Sequence, residues 1–310
     1  MDCAKFVQDQ IADIRRTVGD SLAINALSGG VDSSTVTVLG HRALGDRLKT
    51  FFIDNALMRE GEPHRVVQTF ARMKIPVMLV DARAEFLAAL KGLTDPEQKR
   101  QAITDTFYAR VFARLVRETG ARFLLHGTIL TDIEETVAGI KRQHNILAQV
   151  GIQPEEAYGY GVIEPLQTLR KDGVRAVARK LGLPEAIWKR MPFPGPALAA
   201  RIVGEVTEER LETVRKATAI VEQELKGTRA FQYFATLLND FATGIRDGKR
   251  EFGQIIVVRC VQSTDARVAT VTRLPWKKLE RICRRITALP NVNRCVYDLT
   301  PKPPATIEYV

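Results

Sequence analysis

Seven consecutive residues carry the means for phosphate chemistry: Ser28-Gly29-Gly30-Val31-Asp32-Ser33-Ser34. The glycines let a turn approach ligand oxygens closely, and its N–H groups supply positive potential. Ser28, Ser33 and Ser34 add hydroxyl donors. Asp32 suits Mg²⁺, which prefers carboxylate and phosphate oxygens. Together they form a cradle for a phosphate-bearing ligand. A lysine-bearing P-loop is excluded, because Val31-Asp32 stands before Ser33 where that motif needs a lysine.

The elements around this turn position it. Leu22–Leu27 reads as a buried strand, and a helix follows the turn to about Leu44. The turn therefore sits at a helix N-terminus. Further strands are expected at 49–55, 76–81 and 122–128. Apolar spacing predicts helices over 5–18, 62–73, 85–92, 105–119 and 171–181. Such alternation implies right-handed crossovers and a parallel sheet. Ligands bind outside the carboxyl ends of its strands. Asp54-Asn55 would then flank an adenine or ribose, and Gly127-Thr128 would border the same edge. Asp95-Pro96 makes a good helix start, leaving Lys99 and Arg100 free to meet anionic phosphates. His126 is read as packing at its strand end, and Trp188 and Trp276 as packing residues. Met191-Pro192-Phe193-Pro194-Gly195-Pro196 is a rigid boundary between domains at 1–190 and 191–310. The second begins with a helix at 207–225. It then turns strand-rich at 254–262, 267–272 and 294–298, with a helix at 276–289, as a smaller α+β domain would.

Composition narrows the function classes. The 310 residues are 45% hydrophobic and 26% charged, ordinary for a globular protein. No apolar run approaches the roughly 18 residues of a membrane helix, and the N-terminal residues show no secretory signal. The four cysteines have no CxxC spacing, which predicts reduced thiols in a cytoplasmic protein rather than a zinc or iron–sulfur site. Net charge is +10, with arginines and lysines gathered between Arg267 and Lys302. No aromatic interleaving or RNA-binding motif accompanies them, so a nucleic-acid partner is not expected.

The turn resembles the pyrophosphate loop of ATP pyrophosphatases, the PP-loop enzymes of adenine-nucleotide alpha-hydrolase-like fold. With the other motifs, the chain resembles the ATP-pyrophosphatase part of GMP synthases. Those motifs are Asp54-Asn55, Thr94-Asp95-Pro96-Glu97-Gln98-Lys99-Arg100, Gly127-Thr128, Ile163-Glu164-Pro165-Leu166, Pro192-Phe193-Pro194-Gly195-Pro196 and Lys302-Pro303-Pro304-Ala305-Thr306-Ile307-Glu308. The resemblance implies an α/β PP-loop domain followed by a dimerisation and substrate domain. It implies that ATP and Mg²⁺ sit on Ser28 to Ser34, with Asp32 on the metal and Asp54, Gly127 and Thr128 also at ATP. Xanthosine monophosphate (XMP) would meet Pro194, Gly195, Pro196, Arg201, Lys302, Thr306, Ile307 and Glu308. XMP would be adenylated, and ammonia would displace AMP to give GMP. Residues 129–160 would form a lid, with Asp132, Lys141 and Lys99 serving the chemistry. No Cys-His-Glu constellation of a glutaminase is present, so a separate glutaminase subunit is implied, as is a homodimer.

The chain departs from the family pattern in the lid, where Leu130-Thr131 replaces Tyr-Pro and Ile146-Leu147-Ala148 stands where glycines are usual. Ala197 also replaces a glycine. Two other readings stay open: a paralogous PP-loop ligase adenylating another nucleotide or tRNA, and an ATP-binding subunit without turnover.

Overall fold

The computed structural model describes residues 1–137 and 160–310. They form two compact units. The first comprises Met1–Asp54, Pro63–Ala82 and Thr104–Arg190; the second comprises Asn55–Glu62, Arg83–Ile103 and Met191–Val310.

In chain order the elements are α1 (Cys3–Val18), β1 (Ala23–Ala26), α2 (Val31–Leu44), β2 (Leu48–Asp54), α3 (Glu62–Arg72) and β3 (Met78–Asp81). Then come α4 (Arg83–Leu90), α5 (Pro96–Asp105), α6 (Ala113–Thr119), β4 (Phe123–Leu125), α7 (Leu130–Val137) and β5 (Gly161–Ile163). They are followed by α8 (Lys171–Lys180), α9 (Glu185–Trp188), α10 (Glu208–Glu224), β6 (Gln232–Arg246), β7 (Lys249–Gln262), β8 (Thr270–Val271), α11 (Trp276–Thr287) and β9 (Val292–Tyr297).

The first unit holds a five-stranded sheet in the order β3-β2-β1-β4-β5. Every pairing in it is parallel. Chain order leaves β1 for β2 on one side and later reaches β4 on the other, so the carboxyl end of β1 is a switch point where a ligand crevice opens. Ile24, Leu39 and Phe52 are fully buried in this unit's core. On β1 the buried Asn25 donates through Nδ2 to Thr37 Oγ1 of α2 at 2.8 Å, tying the strand to the helix across the turn. Asp2 caps α1, its Oδ1 accepting from Ala4 N and Lys5 N.

Between α5 and α6 the helix widens into a π turn over Thr106–Phe112. The wider pitch brings residues five apart onto one face. Phe107 and Phe112 stack there, with ring centroids 6.1 Å apart and planes 5° from parallel. The helix expected at 105–119 is therefore helical throughout but not uniformly α.

The second unit holds a four-stranded sheet. β6 and β7 form a long antiparallel hairpin, β8 joins β7 antiparallel and β9 runs parallel to β7. The hairpin turns at Asp247-Gly248, both with positive φ, as a two-residue turn requires. β6 is not among the expected strands. Its first residues are buried, but Asn239, Asp240 and Phe241 are exposed, which blurs the apolar signal. Thr207 caps α10 by accepting from Arg210 N. Glu224 near its end pairs with Arg281 and Arg285 of α11, consuming part of the basic cluster. Trp276, expected to pack, is instead 73% exposed at the start of α11. No described helix is long and apolar enough to cross a membrane.

Candidate active site

In the first unit the glycine turn lies between β1 and α2. Gly30 is the N-cap of α2, and no side chain caps that helix. Its first N–H groups are thus available to an anion. The turn is braced from within. Ser33 Oγ donates to Gly30 O at 3.2 Å and accepts from Ser28 N at 3.2 Å. Ser28 and Ser33 hydroxyls lie 2.9 Å apart. Arg190 Nη1 holds Gly29 O at 2.9 Å. Asp32 Oδ2 accepts from Lys171 Nζ of α8 at 2.5 Å. Asp32 Oδ1 is buried without a hydrogen-bond partner among the described residues.

A cavity of about 140 Å³ opens against this turn. Ser28, Asp32, Ser33 and Gly127 line it, together with His126 and the aromatic wall of Phe107, Tyr108 and Phe112. Gly127 packs closely on the turn: a Cβ there would lie 3.3 Å from Ser33 N, a tight contact. Next to it the buried Thr128 donates to Glu164 Oε1 at 2.5 Å, and its Oγ1 lies 2.9 Å from His126 Nδ1. The Glu164 carboxyl is held below its ordinary range, chiefly by the His126 ring beside it and then, against the cost of burial, by the hydrogen bond from Thr128.

In the second unit two buried arginines organise the C-terminal segment. Arg201 is 1% exposed and grips Glu308 with two parallel bonds of 3.1 Å. Its guanidinium lies over the rings of Phe234 and Phe193, at 4.3 and 5.0 Å, and its Nη1 is buried without a partner among the described residues. Gln232 also donates to Glu308. Arg259, equally buried, donates to Asp298 Oδ2, Thr300 O, Thr306 O and Ile307 O. Lys302 Nζ donates to Ala266 O at 2.8 Å. The Ile307 side chain packs with Val261 and Ala269.

Residues 3–212 match the family described as NAD synthase, and residues 219–309 match the GMP synthase C terminal domain. Over 310 residues the chain is 52% identical to the B-subunit of GMP synthase (glutamine-hydrolyzing) of Archaeoglobus fulgidus, covering 100% of both chains. The same-named protein of Pyrococcus furiosus is 48% identical over 309 residues, 98% of this chain and 97% of that one. That of Methanocaldococcus jannaschii is 46% identical over 314 residues, 99% of each. The chain belongs to the GMP synthase B-subunit family. A solved NH3-dependent NAD synthetase from Campylobacter jejuni shares 17% identity over 61% of this chain and 77% of that one, with a TM-score of 0.48.

Membership of this GMP synthase family carries with it the α/β PP-loop fold and the C-terminal domain that the motifs implied. Within the first unit, Ser28, Asp32, Ser33 and Gly127 come together at the cavity; Ser34 is instead fully buried, Thr128 is buried against Glu164 and His126, and Asp54 ends β2. Asp132 serves as a helix-start group, accepting from Ile129 N at 3.0 Å. Lys141 lies outside the described residues, as does most of the expected lid. The expectation for Lys99 needs correction. It is not free to meet phosphate: it is 2% exposed, in the second unit, and donates to Ile202 O and Gly204 O. Burial, and then Arg210, push its ammonium down to about 8. His126, expected to pack at its strand end, lines the cavity. Pro194 O accepts from Ala197 N to close the Pro194-Gly195-Pro196 turn. Ala197 there has a φ of 53°, a left-handed conformation that glycine adopts without strain.

Sequence reasoning does not find Lys171, Arg190 or Arg259. Lys171 and Arg190 lie more than a hundred residues from the turn they brace, and nothing local marks them. Arg259 carries a signal: a lone charge inside the apolar run Ile255-Ile256-Val257-Val258-Arg259-Cys260-Val261 must be buried and therefore paired.

Proposed function

We propose that this chain is the synthetase subunit of a two-subunit GMP synthase, a ligase that aminates XMP using ATP and ammonia from a separate glutaminase subunit. The observation that carries the reading is half-identity over the full length to GMP synthase B-subunit chains, in a protein whose uncapped helix end and glycine turn form a phosphate cradle. The α and β phosphates would lie on the turn's N–H groups and on Ser28 and Ser33. The C2 oxygen of XMP would attack the α-phosphorus, pyrophosphate would leave, and ammonia would displace AMP. The work of the chain is positioning and charge stabilisation, which suffice for phosphoryl chemistry.

The residues fit a magnesium ion. Asp32 Oδ1 is buried and unpartnered among the described residues, and those residues gather no cluster of three or more metal-ligating side chains. The ion would be shared between Asp32 and phosphate oxygens. When bound it would neutralise charge on the phosphates, while Lys171 keeps Asp32 aimed. We assign XMP to the segment built on Arg201 and Glu308, with Pro194, Gly195, Pro196, Lys302, Thr306 and Ile307. Ile307 contributes through its backbone there, since its side chain is core. The domain boundary at 190/191, a homodimer through residues 191–310 and a cytoplasmic location complete the reading. Phe241 and Ile245 alternate on β6, and Phe252 is exposed between them on β7, an apolar face that a second copy would cover.

The test is pyrophosphate release by the purified chain. It should require XMP and Mg-ATP together, and GMP should form with ammonium but not with glutamine alone. Pyrophosphate release with some other acceptor, and none with XMP, would overturn the reading.

A further inference from the structure

We propose that Arg190 is a positioning residue of this active site: it holds the Gly29 carbonyl, and so keeps the Gly30 N–H turned toward the polyphosphate of the nucleotide. The inference rests on the reading that the glycine turn holds ATP.

A peptide group is planar and trans, so its C=O and N–H point opposite ways. Whatever grips Gly29 O therefore also aims Gly30 N–H. Arg190 Nη1 donates to Gly29 O at 2.9 Å. On the other side of the same peptide, Gly30 N–H points at Ser28 Oγ, 3.4 Å away, and Ser28 lines the cavity with Asp32 and Ser33. The grip is itself fixed. Arg190 follows the short helix α9, its N–H donating to Ile187 O at 3.3 Å, and α9 packs on α2 and α8.

The Gly29–Gly30 peptide needs this support more than its neighbour does. The next carbonyl, Gly30 O, is held by the helix itself, accepting from Ser34 N at 3.0 Å and from Ser33 Oγ at 3.2 Å. Gly29 O lies one residue too early for such a bond, since the N-cap carbonyl is the first that a helix engages. Its one partner among the described residues is Arg190. Glycine on both sides leaves the peptide free to turn over. Gly29 has a φ of 75°, and turning the peptide would carry Gly30 from its φ of −74° to the positive side, open to glycine and strained for a residue with a Cβ. The turned peptide would present a carbonyl oxygen to the phosphates in place of an N–H, exchanging attraction for repulsion.

The test is equilibrium binding of Mg-ATP and of magnesium pyrophosphate to the full chain, by calorimetry, for wild type, Arg190→Met, Gly30→Ala and the double variant. Melting curves check that each variant folds. Arg190→Met should weaken both ligands by about tenfold or more, the loss of one N–H bond to a charged oxygen. Gly30→Ala keeps the native φ accessible but bars the turned peptide. In that background Arg190→Met should cost about threefold or less, because the peptide has no other orientation to take. A crystal structure of Arg190→Met, read independently of Gly30→Ala, should show the Gly29–Gly30 peptide turned over or in two orientations. Unchanged binding in Arg190→Met overturns the proposal, as does a crystal structure with the native orientation alone. So does an equal loss in both backgrounds, which would mean that Arg190 acts through its own charge. A wild-type chain that binds neither ligand would overturn the proposed function together with this inference.

Discussion

Asp32 and Lys99 show how differently two charged side chains can be used. Asp32 keeps one oxygen on Lys171 and the other buried without a partner among the described residues. The ion pair is partly exposed, so its removal costs about 1 kcal/mol or less. Asp32→Asn should therefore lower the melting temperature little while reducing pyrophosphate release by about 100-fold or more. Release near wild-type level would remove Asp32 from the metal role. Lys99 gives a pH prediction. Its folded-state pKa is lowered to about 8 from 10.5. Between those values the unfolded chain binds the proton and the folded chain does not, so this group makes stability rise with pH across that window. Below about 8 both states are protonated and its slope vanishes. Denaturant unfolding at pH 7.5 and pH 10 should show wild type gaining up to about 3 kcal/mol relative to Lys99→Met. A difference that does not change with pH would mean that burial does not depress Lys99.

At the element scale, the helices and the turn are legible in the sequence, because periodicity and caps are local signals. α1, α2, α3, α8, α10 and α11 lie within a few residues of their expected spans. What is not legible depends on partners distant in sequence. β5 is three residues long, too short for a pattern, and exists because β4 offers it an edge. The π turn over Thr106–Phe112 carries no local mark in the sequence that separates it from an α-helix. Two stability predictions belong here. Two residues past the end of α3, Lys74 has a φ of 59° and is exposed, its N–H bonded to Ala71 O. Lys74→Gly should stabilise the protein by about 0.5–1 kcal/mol, read as a raised denaturation midpoint; a lowered midpoint would contradict the strain. Arg259→Leu removes the partner of Asp298 Oδ2 and of the Thr300, Thr306 and Ile307 carbonyls in the second unit. It should cost about 3–5 kcal/mol and expose the C-terminal segment to protease. Retention of wild-type stability would show that the segment is anchored elsewhere.

For the molecule as a whole, the class of enzyme is written in motifs whose chemistry is local, the glycine turn above all. The wiring between motifs is hidden from the sequence. Lys171 reaches Asp32 and Arg190 reaches Gly29 only because the sheet returns distant segments to one edge. The exposed Phe241, Ile245 and Phe252 predict self-association: Phe252→Glu should convert a dimer to a monomer in light scattering with the fold intact, and an unchanged mass would place the interface elsewhere. The central claim is that the turn presents the α-phosphorus of ATP to the C2 oxygen of XMP. Turnover with XMP carrying oxygen-18 at C2, followed by mass spectrometry of the products, tests it directly. The account predicts AMP heavier by one labelled oxygen and unlabelled pyrophosphate. Label in pyrophosphate or orthophosphate, with unlabelled AMP, would contradict it.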